Sequence, residues 1–453
     1  TITDSVVNTS GAVWVDALSD TDIYAFGLAV GVSAGGSGGV SVNVAASGAL
    51  AFNTTTNTIE ASIDNTTGDI DNSRVDADGD VRVRAEDSSD ILAILASAAI
   101  SAGGAGAVSV NVGIAVTVAQ NTIGSTLLAT INDSDIDTDG ALTIEALSET
   151  SITAIGVAAA VSAGGAGAVS VNGAGTGAIA FNTTTNTIEA SLVGSDVLAV
   201  NDVNVQAEDR SQILATLLAA SISAGGAGAV SVNVSVSATY AENTIGGTML
   251  ASVDDSIVNT SGAVIVDAFA DRTIEAFGLA VGVSAGGAGA VSVNVALSAV
   301  AATNIIGSSV ESGIVGSIIG GTIDESSGSI TSTPVGSVSV TAQDLSDISA
   351  VLASASVSAG GAGAVSVNVA GAFVYVSNAM SASTDFDWNN DGEINFKDIQ
   401  AGNQILTALH DLQTGADGAL GDQQVDYDAG PDGIYGNDDD LGAVYDNDDL
   451  TTD

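Results

Sequence analysis

One twelve-residue block limits what this chain can fold into. The block reads SAGGAGAVSVNV, or a close variant, and begins at Ser33, Ser101, Ser162, Ser223, Ser284 and Ser358. The first and last intervals between these starts are longer than the three middle ones, which are identical and set the repeating unit at 61 residues. A repeat of this kind is typical of proteins in which each unit packs only against its neighbours. We therefore expect stacked units rather than several independent globular domains.

The two longer spacings indicate insertions. One falls near Asp64 to Asp80, which is rich in Asp, Asn and Gly, and the other falls between Ile305 and Val335. The segment NTSGAV occurs at Asn8 and again at Asn259, so the first residues correspond to the end of a unit. We expect the first unit to lack a cap, which would leave a sheet end open to another copy or to further repeats.

Three extended stretches are predicted in each unit. Examples are Leu142 to Val161, Ala107 to Ala119 and Thr126 to Ile144, and each is rich in β-branched residues or alternates apolar with polar ones. Such patterns, with only 2 prolines in the chain, favour strands. The predicted fold class is all-β: a β-solenoid of stacked sheets with about six units over residues 1–381.

The stretch from Ile91 to Gln120 carries no charge, so a helical or membrane-spanning segment has to be considered. The corresponding segment of a later unit contains Gly278 and Gly282, which disfavours a helix. Aromatic residues make up only 4% of the chain, too few for the belts seen at membrane interfaces. We expect no membrane insertion, and we expect these strands to be buried on both faces, with the Ala, Ser and Gly side packed closely.

Asparagine recurs at equivalent positions of successive units, at Asn53, Asn121, Asn182 and Asn243. Asparagine tolerates turn geometry, and stacked asparagines can also bond to one another through their amides. Our interpretation is that these residues serve first in turns and second in ladders between units.

The charge balance excludes polyanionic partners. The chain has 54 acidic residues against 6 basic ones, a formal net charge of −48. The whole basic supply is Arg74, Arg82, Arg84, Arg210, Arg272 and Lys397. Nucleic acids and anionic lipids require basic side chains for binding, so neither is expected as a partner. We expect the acids to cover the outside of a nearly uncharged β core.

Few residues are available for catalysis. The chain has no cysteine and a single histidine, His410, so thiol chemistry, Cys/His zinc sites and most catalytic triads are excluded. Arg82 and Arg84 alternate along one strand and should point to the same face, where acids of the next unit can pair with them. We expect no enzymatic activity and no catalytic residues.

An acidic module is predicted over residues 382–453, because the composition changes abruptly there. Its segment DWNNDGEINFKD has the spacing of an EF-hand calcium loop, with alternating oxygen ligands and a glycine at the sharp turn. The predicted ligands of this first loop are Asp387, Asn389, Asp391, Glu393, Asn395 and Asp398. A weaker second loop has glycine at its third position, and its predicted ligands are Asp428, Asp432, Asp438 and Asp439. The cofactor that both loops imply is Ca²⁺.

These motifs support two resemblances. The repeat units resemble those of giant repetitive bacterial surface proteins, the filamentous haemagglutinin and leukotoxin-like adhesins, over about residues 1–381. The first calcium loop ends in Asp398 rather than Glu and resembles the loop of dockerins. The resemblance implies a secreted or cell-surface β-solenoid from a bacterium.

Our functional hypothesis is an extracellular fibre or stalk that self-associates through its uncapped repeats and is stabilised by calcium. Its expected partners are other copies of itself, joined head to tail or laterally, and other cell-surface components. The alternatives are an adhesin that binds a host or glycan surface, for which the two insertions are the candidate sites, and a surface-layer protein.

Overall fold

A computed structural model describes residues 1–67, 73–324 and 329–383, with no side-chain description for 322–331 and 382–383. Within these ranges the chain is nearly all strand and contains no helix, which confirms the all-β class. The predicted calcium ligands, from Asp387 to Asp398 and from Asp428 to Asp439, lie outside the described residues, as do Lys397 and His410. Their assignment stays a prediction.

The chain winds as a β-solenoid through four parallel sheets, which we call A, B, C and D in the order in which a coil passes through them. Neighbouring strands within each sheet come from successive coils. Sheet A has seven strands, and sheets B, C and D have six each.

Sheet A contains the short strand β1 (Ile2–Thr3) and the longest strands: β5 (Val40–Asp64), β9 (Val108–Asn132), β13 (Val169–Val193), β17 (Val230–Asp254), β21 (Val291–Val315) and β27 (Val365–Ser383). Sheet B contains the shortest: β2 (Val6–Thr9), β6 (Arg74–Ala77), β10 (Asp135–Thr138), β14 (Asp196–Ala199), β18 (Ile257–Thr260) and β22 (Ile318–Ile319). Sheet C contains β3 (Val13–Ser19), β7 (Val81–Asp87), β11 (Leu142–Ser148), β15 (Val203–Asp209), β19 (Ala263–Ala270) and β25 (Ser337–Asp344). Sheet D contains β4 (Asp22–Ser37), β8 (Asp90–Ala105), β12 (Ser151–Ala166), β16 (Gln212–Ala227), β20 (Thr273–Ala288) and β26 (Asp347–Ala362).

The register between coils follows the sequence repeat. Asn111 of β9 pairs with Asn172 of β13, which pairs with Asn233 of β17, and the same one-to-one pairing holds along the whole of each strand. The predicted stacking of successive units is therefore confirmed. Because residues at equivalent positions lie above one another, each position of the unit forms a column along the solenoid axis.

A coil has four strands rather than the three predicted. The second predicted stretch and the start of the third form the single strand β9, which ends where Asp133 takes a left-handed conformation with φ of 48°. The first predicted stretch is divided into β11 and β12 by a short turn. Alternation of apolar and polar residues continues through these boundaries in the sequence, so it did not mark where strands end.

The two predicted insertions lie at turns between sheets. The first occupies the turn from β5 to β6, and the second contains an antiparallel hairpin of β23 (Gly321–Asp324) and β24 (Ser329–Ser332). The second insertion is shorter than predicted, because residues 305–315 belong to strand β21.

The cross-section has a wide part and a narrow part. In the wide part, which we call the body, the C-terminal half of each sheet A strand packs against sheets B and C around Ile, Leu and Val side chains such as Leu127, Ile136 and Ile144. In the narrow part, which we call the wing, the N-terminal half of each sheet A strand packs against sheet D. In β9 this N-terminal half is residues 108–120. The wing interior is built mainly from alanine, for example Ala93 and Ala154.

One interior column of the wing alternates between glycine and leucine. From coil to coil it reads Gly27, Leu95, Gly156, Leu217, Gly278 and Leu352. A Cβ atom at Gly156 would lie 2.9 Å from Cδ2 of Leu217, so each leucine fills the space that the glycine of the preceding coil leaves. The packing therefore repeats every two coils at this position.

Candidate functional site

The wing interior contains a continuous asparagine ladder next to the glycine turn. Nδ2 of Asn111 donates to Oδ1 of Asn172 at 2.9 Å, and Asn172 donates in the same way to Asn233. The ladder begins at Asn43, continues through Asn294 and reaches Asn368. Each inner side-chain amide thus bonds to both neighbouring coils, which satisfies polar groups that the sheets bury.

A second ladder runs through Asn53, Asn121, Asn182, Asn243, Asn304 and Asn378, with donor–acceptor distances of 2.7 to 2.8 Å. The predicted ladder between units is therefore confirmed. The predicted turn role is wrong, because these asparagines lie within the long strands of sheet A. Their side chains point into the interior, where an amide without a ladder partner would be costly to bury.

Glycine in the block SAGGAGAVSVNV makes room for the first ladder. A Cβ atom at Gly164 would lie 1.9 Å from Nδ2 of Asn111, and the corresponding glycine of the next coil, Gly225, has the same relation to Asn172. Ser162 adds a bond across the wing, since its hydroxyl donates to the backbone oxygen of Asn111 at 2.7 Å. Serine, glycine and asparagine in the block therefore act together to join sheets A and D.

The large apolar side chains of the wing point outward. We call the outward positions Val108, Val110, Val112, Ile114, Val116 and Val118, with their equivalents in the other five coils, the A face. The first two columns of the A face are valine in all six coils: Val40, Val108, Val169, Val230, Val291 and Val365, then Val42, Val110, Val171, Val232, Val293 and Val367. The expectation of burial on both faces is wrong for the described chain, because Ile114 is 45% exposed and Val236 is 41% exposed.

Sheet D has a matching apolar exterior, which we call the D face. Its outward positions are Ile94, Ala96, Ala98 and Ile100 in β8, with their equivalents in the other five coils. Thr216 is the only residue with a polar side chain among these described positions. The sequence signal for both faces was the strict alternation of large apolar residues with Ser, Asn and Ala, but alternation does not say which side points inward.

The acidic residues lie on the body rather than over the wing faces. Arg82 pairs with Asp16 through two bonds of 3.0 and 2.6 Å, and Arg84 lies 3.6 Å from Glu145 of the next coil. The predicted pairing with an acid of the next unit is confirmed for Arg84, whereas the partner of Arg82 lies in the preceding coil. All five arginines of the described chain lie in ion pairs, so the described surface has no basic cluster for an acidic ligand.

Burial raises the pKa of several carboxyl groups of the body and of its edges. Desolvation raises the pKa of Asp196, and the charge of Asp135 in the preceding coil adds to the effect. Desolvation likewise raises the pKa of Asp254 and Asp267. Successive coils thus place equivalent acids such as Asp135 and Asp196 close together. Burial, and to a lesser degree this repulsion, favours the protonated form of the carboxyl group.

The described ranges contain no group of three or more His, Asp or Glu side chains that could hold a metal ion. They also contain no helix long and apolar enough to cross a bilayer.

Comparison with known proteins gives no match. No protein-family model matches the chain, and no curated protein or solved structure shows significant similarity to it. The features of the molecule that bear on its function are therefore the ladders, the faces of the wing and the sequence motifs.

Proposed function

We propose that this chain is a structural element of an extracellular fibre or stalk that associates with other copies of itself. The observation that carries the proposal is the one-to-one register of all four sheets through successive coils. Such a register, combined with continuous amide ladders, is the arrangement that gives stacked β structures their high kinetic and thermodynamic stability.

The dimensions of a coil fit a load-bearing role. A 25-residue strand such as β9 extends for about 80 Å, whereas each coil adds only about 4.8 Å along the axis. Most of a coil therefore builds a broad cross-section rather than length. Length in a fibre would come from many coils, as the resemblance to giant repetitive surface proteins implies.

Calcium is proposed as the stabilising ion, on the basis of the two Asp-rich loops of the C-terminal module. Electron microscopy of the purified full chain in calcium, before and after dialysis against a chelator, tests both parts of the proposal. We expect threads in calcium and shorter or thinner threads after chelation. Isolated particles under both conditions would contradict the fibre, and flat lattices would select a surface-layer protein instead.

An adhesin is the second candidate, and the hairpin of β23 and β24 favours it because this hairpin departs from the repeat.

Removing the two insertions tests this candidate. In the first insertion, residues 65–73 connect sheets A and B, where another coil needs only Asp133 and Ser134. Replacing 65–73 with Asp-Ser, and separately deleting residues 320–332, removes each insertion and restores the spacing of the other coils. Loss of binding to cells or glycans with threads retained would support adhesion.

A further inference from the structure

The A face is larger than the apolar patches that monomeric proteins usually expose. Its six outward positions in each of six coils cover about 1,000 Å², from a strand spacing of about 4.8 Å and a rise of about 3.3 Å per residue. Typical largest patches on monomers are about 300–600 Å². Stable interfaces bury about 800 Å² on each partner, so one A face has enough area for a specific partner.

Glycines cut a trough into this face. Gly173, Gly175 and Gly177 of β13 all point outward, and a Cβ atom at Gly175 would meet nothing within 4 Å. The strand on one side carries Val112, Ile114 and Val116 at the same positions. On the other side the paired residues are Val234, Val236 and Ala238. The face therefore has a ridge, a trough and a second ridge, each running along a strand.

We propose that the partner of the A face is the A face of a second copy, related by a two-fold axis that runs parallel to the strands between β9 and β13. This axis brings β9 of each copy over β13 of the other, and β5 over β17, while keeping positions along the strand unchanged. Four of the six coils then overlap and bury about 700 Å² on each partner, within the range of about 600–1,000 Å² for stable interfaces. Because Ile114 and Gly175 are register partners, Ile114 of one copy then lies over Gly175 of the other. The ridge of each copy fills the trough of its partner, as a self-complementary two-fold interface requires.

The alternative two-fold axis, parallel to the solenoid axis, is less favourable. It would place trough over trough and leave an unfilled space at the centre of the interface, with the contacts of its lining lost. The D face has no comparable trough along a strand, because none of its positions in the six described strands is glycine. The A face is therefore the better self-complementary surface.

A second copy fits the A face better than a lipid surface does. The formal net charge of −48 opposes approach to an anionic leaflet and to a second copy alike, so the relief of the face distinguishes the two partners rather than the charge. The A face itself is free of charge, and Tyr240 and Tyr375 are its only described residues with polar side-chain atoms. A flat uncharged sheet face with its own complementary relief matches the dry paired sheets of stacked β structures.

Disulfide trapping in the full chain tests the pairing, because the natural chain has no cysteine. We expect an equimolar mixture of the Ile114→Cys and Gly175→Cys variants to form a disulfide-linked dimer under mild oxidation. Two further variants serve as controls. Thr126→Cys places the thiol on the outward side of the same strand but in the body, and Ala159→Cys places it on the D face. Efficient dimers of Ala159→Cys, or equal trapping by Thr126→Cys, would overturn the proposed interface.

Sedimentation with a trough-filling variant gives an independent test. Gly175→Val has room within the monomer, and the next coil already carries Val236 at this position, so the fold should be retained. We expect the dissociation constant of the dimer to rise about tenfold or more, since the added side chain overfills the interface. The matched control is Gly124→Val, which makes the same change outward on sheet A in the body and should leave dimerisation unchanged.

Two outcomes would reject the proposal outright. One is a monomer at all concentrations, and the other is a monomer that floats with neutral phosphatidylcholine vesicles and no longer floats after Ile114→Asp. The inference rests on the proposed self-associating role, but the two fail separately. Threads that form without a disulfide between Ile114→Cys and Gly175→Cys would contradict the proposed interface alone. Disulfide-linked dimers that form no threads would contradict the proposed fibre alone.

Discussion

Arg272 and Asp209 form an ion pair inside the solenoid, with Nε of Arg272 2.7 Å from Oδ2 of Asp209 and both side chains fully buried. Asp209 also accepts hydrogen bonds from the backbone N–H and the hydroxyl of Ser211, at 3.1 and 2.5 Å. Equivalent turns of other coils place a serine or threonine, such as Thr150, where this coil has Arg272. The facing position of sheet A is Asn57, Ser125, Asn186 and Ser308 in four other coils but Gly247 here. The arginine therefore fits where a side chain is missing.

Removing one partner of this pair should strongly destabilise the solenoid. Asp209→Ala leaves a buried guanidinium without its counter-charge, and we expect a loss of about 3–5 kcal/mol in the free energy of unfolding. The double variant Asp209→Ala/Arg272→Met should recover much of this loss, because it removes both charges and keeps most of the volume. Guanidinium denaturation of the full chain, followed by circular dichroism, measures both.

The neighbouring Arg210 provides the control. It is 51% exposed and pairs with Glu149 at 3.1 Å and with Glu208. Arg210→Ala should cost less than about 1 kcal/mol, since solvent screens exposed pairs. Equal losses for Arg210→Ala and Asp209→Ala would show that burial of the inner pair has no special weight.

The first asparagine ladder gives a second prediction. Asn172→Ala removes the acceptor of Asn111 and the donor to Asn233, two bonds of 2.9 Å each. We expect a loss of about 1–3 kcal/mol, because buried amide groups are left without partners. Asn204→Ala, on the outer face of sheet C, should change stability by no more than about 0.5 kcal/mol. Similar denaturation midpoints for the two variants would contradict the structural role of the ladder.

The glycine and leucine column predicts a non-additive pair. Leu217→Ala should cost about 2–5 kcal/mol, because it opens a cavity in the wing. Gly156→Ala alone should also destabilise, since its Cβ atom would lie 2.9 Å from Leu217. In the double variant the added methyl group enters the cavity, so the total loss should be smaller than the sum by about 0.5 kcal/mol or more. Strict additivity would show that the two positions do not share this space.

The repeat made the gross fold predictable. Identical blocks at a constant period require equivalent environments, so Asn53, Asn121 and Asn182 were expected to stack, and they do. The pairing of Arg82 and Arg84 with acids followed from the two-residue period of a strand. Both inferences needed only the repeat and the local alternation.

Other features depend on distances that a sequence does not contain. The alternation of Val110 with Asn111 fits either side facing inward, and the hydrophobic rule would bury the valine. The opposite holds because the two sheets of the wing approach so closely that a Cβ atom at Gly31 would lie 2.4 Å from the backbone oxygen of Ala46. Only small side chains and laddered amides fit there, so the valines lie outside. The burial of Arg272 could not be predicted either, because it depends on a glycine in a strand of a different sheet.

The calcium loops can be tested in the full chain by calorimetric titration. Asp391→Ala removes the predicted fifth-position ligand of the first loop, and we expect calcium affinity at that site to fall on the order of tenfold or more. Asp446→Ala removes one acid outside both loops and should leave binding unchanged. Equal effects of the two variants would indicate diffuse attraction of calcium to an acidic tail rather than a site.

Acid should stabilise the solenoid down to about pH 4.5. Desolvation is the largest cause of the raised pKa values of Asp90, Asp196, Glu208, Asp254 and Asp267. A carboxyl group with a raised pKa in the folded state binds its proton more tightly there than in the unfolded chain, where the ordinary values are 3.8 for Asp and 4.5 for Glu. Its stabilising contribution is complete below the unfolded value and is lost as the pH rises through the folded value.

The denaturation midpoint should therefore increase between pH 7 and pH 4.5, opposite to the behaviour of a protein held by carboxylate ion pairs. Asp4 acts in the other direction, because hydrogen bonds from Thr66 lower its pKa from the ordinary value of 3.8. Its effect on stability is therefore confined to pH values below about 3.8, outside this range. Asp196→Asn should raise the midpoint at pH 7 and reduce its dependence on pH, since it removes the charge next to Asp135. A midpoint that falls steadily from pH 7 to 4.5 would mean that the ion pairs of Arg74, Arg82 and Arg84 outweigh the repulsion between stacked acids.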